Sequence, residues 1–161
     1  MNISYKVDAE KVLEGFRRAP RVMSRNLDKG LDRAALKMVR TAQDKVRDND
    51  SIAFSLLVQS IRYQRTGPLE RTVWPAANYA RYLEDGTKPG YMPNGYALAA
   101  WLKARGAANP KRRSFALAKH IFKHGTKPHP FWQPSFETAE PEMRRIIAQA
   151  VERGVSEVFG T

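Results

Sequence analysis

His120 and His124 stand four residues apart in a stretch with helical patterning, a spacing that can set two imidazoles on one side of a metal ion, and His129 follows closely. The usual third ligand and general base are missing nearby, because no acidic residue lies between Asp85 and Glu137, and Lys119, Lys123 and Lys127 would repel a cation. These histidines therefore read as polar surface or interface residues. Glu84 and Asp85 are adjacent, and adjacent side chains on a helix diverge rather than share a proton, so the pair suits capping or a subunit contact better than acid-base catalysis. The chain holds no GxxxxGK(S/T) phosphate loop, no GxSxG elbow and no HExxH helix. Cysteine is absent, which removes disulfides and thiolate metal sites. The expectation is a protein with no catalytic site, no metal and no cofactor.

Charge carries more information. The chain is formally +12, and the excess is concentrated: residues 111–130 hold six basic residues and no acid, whereas residues 131–161 sum to −2. Lys111, Arg112, Arg113, Lys119, Lys123 and Lys127 form a cluster that can face phosphates, since neutralising phosphates releases counterions and gives affinity without sequence readout. A solvated helix face, or a surface that meets an acidic neighbouring subunit, is the other reading. No helix-turn-helix, zinc-finger or stacking-platform signature accompanies the charge, so sequence-specific recognition is not expected.

Positioning these residues is the task of one domain, residues 1–161, because 161 residues with 42% hydrophobic content suffice for a single core. The first residues lack the basic start and unbroken apolar run of a signal peptide, and no window approaches eighteen apolar residues, so neither export by that route nor a membrane span is expected. Ile3, Tyr5 and Val7 alternate with polar residues, predicting a short strand or extended arm. A helical stretch follows from Asp8 to about Arg18, and Pro20 interrupts it. From there to about Val46, Met23, Leu27, Leu31, Ala35, Met38, Ala42 and Val46 recur at spacings of three or four and predict a long amphipathic helix, ended by the DNDS run at Asp48 to Ser51. Ser60 to Gln64 and Arg71 to Trp74 predict two strands joined as a hairpin across Thr66, Gly67 and Pro68. Helical segments centred on Ala97 to Lys103 and on Phe115 to Lys123 are separated by Gly106 and Asn109-Pro110. A last helix runs from Met143 to Val158, with Pro141 in its first turn.

One tetrapeptide occurs twice. Gly86-Thr87-Lys88-Pro89 recurs as Gly125-Thr126-Lys127-Pro128, each copy after a helical pattern and before an aromatic and a proline. Glycine accepts the left-handed conformation that ends a helix and proline cannot continue one, so two stiff extended loops are expected.

The run WPAANYARYLEDGT, Trp74 to Thr87, resembles the Tyr-Ala-x-Tyr-(Leu/Val)-Glu-x-Gly-Thr signature of the gene-product-ten-like tail-completion family of long-tailed bacteriophages, matching at Tyr79, Ala80, Tyr82, Leu83, Glu84, Gly86 and Thr87. Downstream, KPHPFWQPSFE resembles that family's Pro-Phe-x-x-Pro-(Ala/Ser) element, which opens the final helix, at Pro130, Phe131, Pro134 and Ser135. Leu57, Ser60 and Ile61 resemble its Leu-x-x-Ser-Ile element, although SIAFSLL stands where relatives carry a Thr-Gly pair before the leucine. Residues from about 90 to 124 form a longer helical insertion than the minimal family member has, and they carry the basic cluster.

The resemblance implies an α+β subunit, its long N-terminal helix and C-terminal helix packed on a small antiparallel sheet. It implies a structural virion protein assembled in the host cytoplasm into a homo-oligomeric ring at the head-tail junction, hexameric by preference and dodecameric as the alternative. Its partners would be the connector or stopper and the tail terminator or tail tube, with DNA passing non-specifically through the axial channel. The expected subunit interface comprises Tyr79, Tyr82, Glu84, Gly86, Thr87, Pro130, Phe131, Trp132 and Pro134, with the region around Tyr82 and Glu84 of one subunit approaching Phe131 of its neighbour. The competing use of Phe131 and Trp101 is core packing. A basic, sequence-independent DNA-binding protein for packaging or DNA organisation is the alternative function. A nuclease is disfavoured by the lack of clustered acidic metal ligands.

Overall fold

The computed structural model describes residues 9–48 and 55–160, so the Ile3, Tyr5, Val7 alternation and the DNDS helix stop, apart from Asp48, lie outside the described residues. The order of elements is α1 (Ala9–Asp48), α2 (Ser55–Ser60), β1 (Ile61–Gly67), β2 (Glu70–Pro75), α3 (Ala80–Asp85), α4 (Gly95–Ala104), α5 (Pro110–His124) and α6 (Trp132–Phe159). A long N-terminal helix, a C-terminal helix and a two-stranded antiparallel sheet make this an α+β fold.

α1 is a single helix of 40 residues, about 60 Å at 1.5 Å per residue, and it passes through Pro20 without stopping. The expected interruption is overridden by tertiary contact. Proline removes one amide donor and crowds the carbonyl four residues back, but Pro20 is exposed and Gly15 and Met23, on either side of it, both pack on α6. The same holds for α6, whose 28 residues begin at Trp132 rather than near Met143 and include an exposed Pro141 in their interior.

α6 runs antiparallel along α1: Gly15 lies against Phe159, Met23 against Gly154 and Gly30 against Ala150. Small residues bring the two backbones close. A methyl group added at Gly30 would come within 2.5 Å of the Ala150 Cβ. The C-terminal helix therefore packs chiefly on α1 and not on the sheet, and α1 carries the sheet on its C-terminal half. Of the predicted stripe, Ala35, Met38, Ala42 and Val46 are buried, whereas Met23, Leu27 and Leu31 are only half-buried. The core gathers Met38, Ala42 and Val46 with Leu57, Ile61, Phe131 and Ala139.

The strands pair from Ile61↔Pro75 to Arg65↔Arg71, with an irregularity before Gly67↔Glu70 and the turn at Pro68 and Leu69. Arg71 ties the hairpin to α1: its side chain is 4% exposed, its Nη2 donates to Asp28 Oδ1 at 2.7 Å and its Nε to Asp32 Oδ1 at 2.6 Å. This bonding holds the Asp28 carboxyl below its ordinary range, and the same two aspartates raise the already high affinity of the Arg71 guanidinium for its proton.

α4 and α5 stand apart from this body. They pack on each other, burying Ser114, Ala118 and Ile121 of α5 while α4 has no fully buried residue. Among the described residues no helix is long and apolar enough to cross a membrane.

Candidate functional site

The two GTKP segments meet. Gly86 leaves α3 with φ 70° and ψ −174°, and Gly125 leaves α5 with φ 71° and ψ −165°. This left-handed, extended combination is open to glycine and essentially closed to residues with a Cβ. The identical backbone at both sites turns the sequence repeat into a local two-fold arrangement, in which Thr87 and Thr126 form an antiparallel bridge. The Thr87 amide donates to the Thr126 carbonyl at 3.2 Å, the Thr126 amide donates to the Thr87 carbonyl at 3.0 Å, and the two hydroxyls are 3.0 Å apart. Each glycine lies over the other segment's carbonyl: a Cβ would fall 2.4 Å from the Thr126 oxygen at Gly86 and 2.0 Å from the Thr87 oxygen at Gly125. Glycine is thus required twice over, by its φ and by the close approach.

Glu84 completes the clamp. α6 has no capping side chain of its own at Phe131, and its first amides are satisfied from α3 instead. The amides of Phe131 and Trp132 each donate to Glu84 Oε2 at 2.8 Å, and that of Gln133 donates to Oε1 at 3.1 Å. A carboxylate there also opposes the positive end of the helix dipole. One residue away, the His129 amide donates to the Leu83 carbonyl at 2.8 Å. The signature residues Leu83, Glu84, Gly86 and Thr87 therefore meet Thr126, Phe131 and Trp132 within one chain.

This corrects the expected arrangement of the interface residues. The expectation sets Glu84 and Phe131 opposite one another across subunits; here they join inside one chain, and Phe131, at 1% exposure, belongs to its core. Trp132 is half-buried, edge-on to Phe131, and Pro134 is half-buried beside it. Tyr79 precedes α3, where burial raises its phenol above the ordinary value against a backbone hydrogen bond with Leu57. Tyr82 and Pro130 remain outward, and Tyr82 stacks on Tyr91 at 5.1 Å with both rings exposed. Trp101 is half-buried under the Arg105 guanidinium, 4.5 Å from the ring centroid.

The basic residues take a separate place. Lys111, Arg112, Arg113, Lys119 and Lys123 are all exposed on α5, and Lys127 is exposed on the second of the two GTKP segments, which act as paired straps. At about 100° per residue, Arg112, Lys119 and Lys123 fall on one stripe opposite the buried Ser114, Ala118 and Ile121. His120 and His124 sit beside that stripe with ring centroids 4.6 Å apart, both exposed. Among the described residues no group of three His, Cys, Asp or Glu is placed to hold a metal ion.

Sequence reasoning overlooked the cap. Its signal was Glu84 ahead of a helix lacking a capping residue, but the acceptor and its donors are 47 to 49 residues apart, which no local pattern reports. The chain matches no protein-family model, no characterised protein and no solved structure.

Proposed function

We propose that this chain is a structural assembly protein of a tailed phage virion, a tail-completion subunit that forms a homo-oligomeric ring at the head-tail junction and leaves an axial passage for DNA. The observation that supports it best is the clamp. The two signature segments that suggested the reading interlock through backbone bonds and the Glu84 cap, so they act as one unit with a common structural reason for each glycine, threonine and glutamate. The clamp fixes shape, as a ring subunit requires. Tyr82 and Tyr91 are exposed beside it, and Tyr96 and Phe115 are exposed on α4 and α5; together they supply aromatic surface for contacts with neighbouring copies or with connector and terminator proteins.

Silencing the gene during infection tests this. Filled heads and finished tails that fail to join, visible by electron microscopy and restored by supplying the protein, are the expected outcome. Complete infectious particles made without the protein would overturn the reading. The second reading, a basic DNA-organising protein, draws on the cationic α5 stripe and predicts instead a defect in head filling with tails joined normally.

A further inference from the structure

We infer that the α4–α5 hairpin is a sequence-independent grip for the phosphate backbone of duplex DNA. This deepens the reading above and depends on it only for where in the particle DNA is met.

Residues 86–136 contain nine lysines and arginines and not one aspartate or glutamate. In the body, by contrast, carboxylates are taken up by body arginines: Asp28 and Asp32 by Arg71, Glu157 by Arg25, Glu140 by Arg144 and Glu142 by Arg145. A segment with no carboxylate of its own cannot neutralise itself. Its field therefore extends into solvent and attracts a polyanion.

The fold arranges this charge. Because α5 turns its small and apolar positions toward α4, its opposite stripe of Arg112, Lys119 and Lys123 faces outward over twelve residues, a rise of about 16 Å. Ala116, exposed between that stripe and the cleft beside it, leaves room for a backbone to approach. Arg113 lines a flanking cleft of about 690 Å³ between the helices with Trp101, Arg105 and His120. The paired straps anchor both ends of the hairpin to the body, so the stripe is presented on a defined base.

Composition decides between a nucleic acid and an acidic protein. Six of the nine cations in residues 86–136 are lysines. Lysine is depleted in protein interfaces and arginine enriched, whereas lysine binds phosphate as a point charge on a flexible stem, without the fixed geometry a protein carboxylate would call for. No aromatic ring lies within the stripe itself, which favours a backbone contact over stacking on unpaired bases.

Titration of the purified full chain with two fluorescent duplexes of unrelated sequence, over about 50 to 200 mM salt, tests the grip. Equal affinity for both duplexes and a steep fall with salt are expected. The triple variant R112E/K119E/K123E should bind roughly tenfold or more weakly and flatten the logarithmic salt slope by about 2 to 3, with an unchanged melting temperature. Reversal of two exposed α1 residues, R33E/R40E, should leave affinity near that of the parent. No duplex affinity at the lowest salt, equal loss in the α1 control, or a triple variant that binds like the parent would each overturn the proposal. So would binding confined to single-stranded DNA, which would point to Phe115 and Phe122, or equally tight binding of polyglutamate. Failure here with unjoined heads and tails on gene silencing would remove the grip and leave the assembly role standing.

Discussion

The α1–α6 pair and the α4–α5 pair are both antiparallel helical partners, yet they are built for opposite ends. α1 and α6 approach through Gly15, Gly30, Ala150 and Gly154, bury Met38, Ala42, Val46, Phe131 and Ala139, and match their charges internally. α4 has no fully buried residue, α5 buries only Ser114, Ala118 and Ile121, and their charges are all of one sign. The first pair stabilises the fold. The second gives up burial in exchange for surface, and it holds its place because the clamp anchors its two ends.

The sharpest way to break that comparison is to put a charge in the body. Ala42 is fully buried on α1, so Ala42→Asp should cost several kcal/mol against a total stability of roughly 5 to 15 and leave little folded protein at 37 °C. A melting temperature within a few degrees of the parent would mean that this face of α1 is not core.

Next in size is the strap. Gly125→Ala puts a Cβ 2.0 Å from the Thr87 oxygen at a φ of 71° and should destabilise the chain by about 3 kcal/mol, with faster hydrogen exchange at the Thr87 and Thr126 amides. Gly90→Ala is the contrast, since Gly90 also has a positive φ but no atom within 4 Å of its added Cβ, and it should cost only about 1 kcal/mol. Equal costs at the two sites would deny the close approach its role.

Removing the cap should cost somewhat less. Glu84→Ala leaves the amides of Phe131, Trp132 and Gln133 without their acceptor, for a loss of about 2 kcal/mol, while Glu84→Gln keeps an acceptor oxygen and should retain part of the stability. Hydrogen exchange at those three amides, beside the thermal melts, reads the effect directly. Unchanged protection in Glu84→Ala would show that the α6 end does not depend on α3.

The smallest effect sharpens the contrast in charge. Asp28 is held below its ordinary range by the Arg71 hydrogen bond, Glu157 by Asn26 and then Arg25, and Glu142 by Arg145. A lowered carboxyl binds fewer protons folded than unfolded near pH 4, so its contribution is present above that pH and is lost as the pH falls through the folded value. Melting temperatures should accordingly drop between about pH 4 and pH 2. Asp28→Asn should make that drop shallower. All three groups lie in the body, so an acid transition that first loosened the α4–α5 hairpin would contradict the assignment.

Much of the fold was legible because its signals are local. Ala35, Met38, Ala42 and Val46 announced α1 by their spacing, and the β1–β2 hairpin was marked by two short strand segments, SIRYQ and RTVW, on either side of Gly67-Pro68. Helix ends were the poorly legible part. Pro20 and Pro141 both suggested boundaries, and both sit on exposed sides of helices held in line by the contact of α1 with α6. A local steric cost was outweighed by packing between residues more than a hundred positions apart.

The candidate site divides in the same manner. The acid-free run, the lysine-rich composition of α5 and the twin Gly-Thr-Lys-Pro segments are properties of the sequence, and they determine a cationic element bounded by two glycine turns wherever the chain folds. That the two turns face each other and that Glu84 closes the amides of α6 was decided by tertiary structure alone. The physical reason is reach. Charge and backbone propensity act within a few residues, whereas a hydrogen bond between Glu84 and Phe131 exists only once the 46 residues between them have been folded back on their own base.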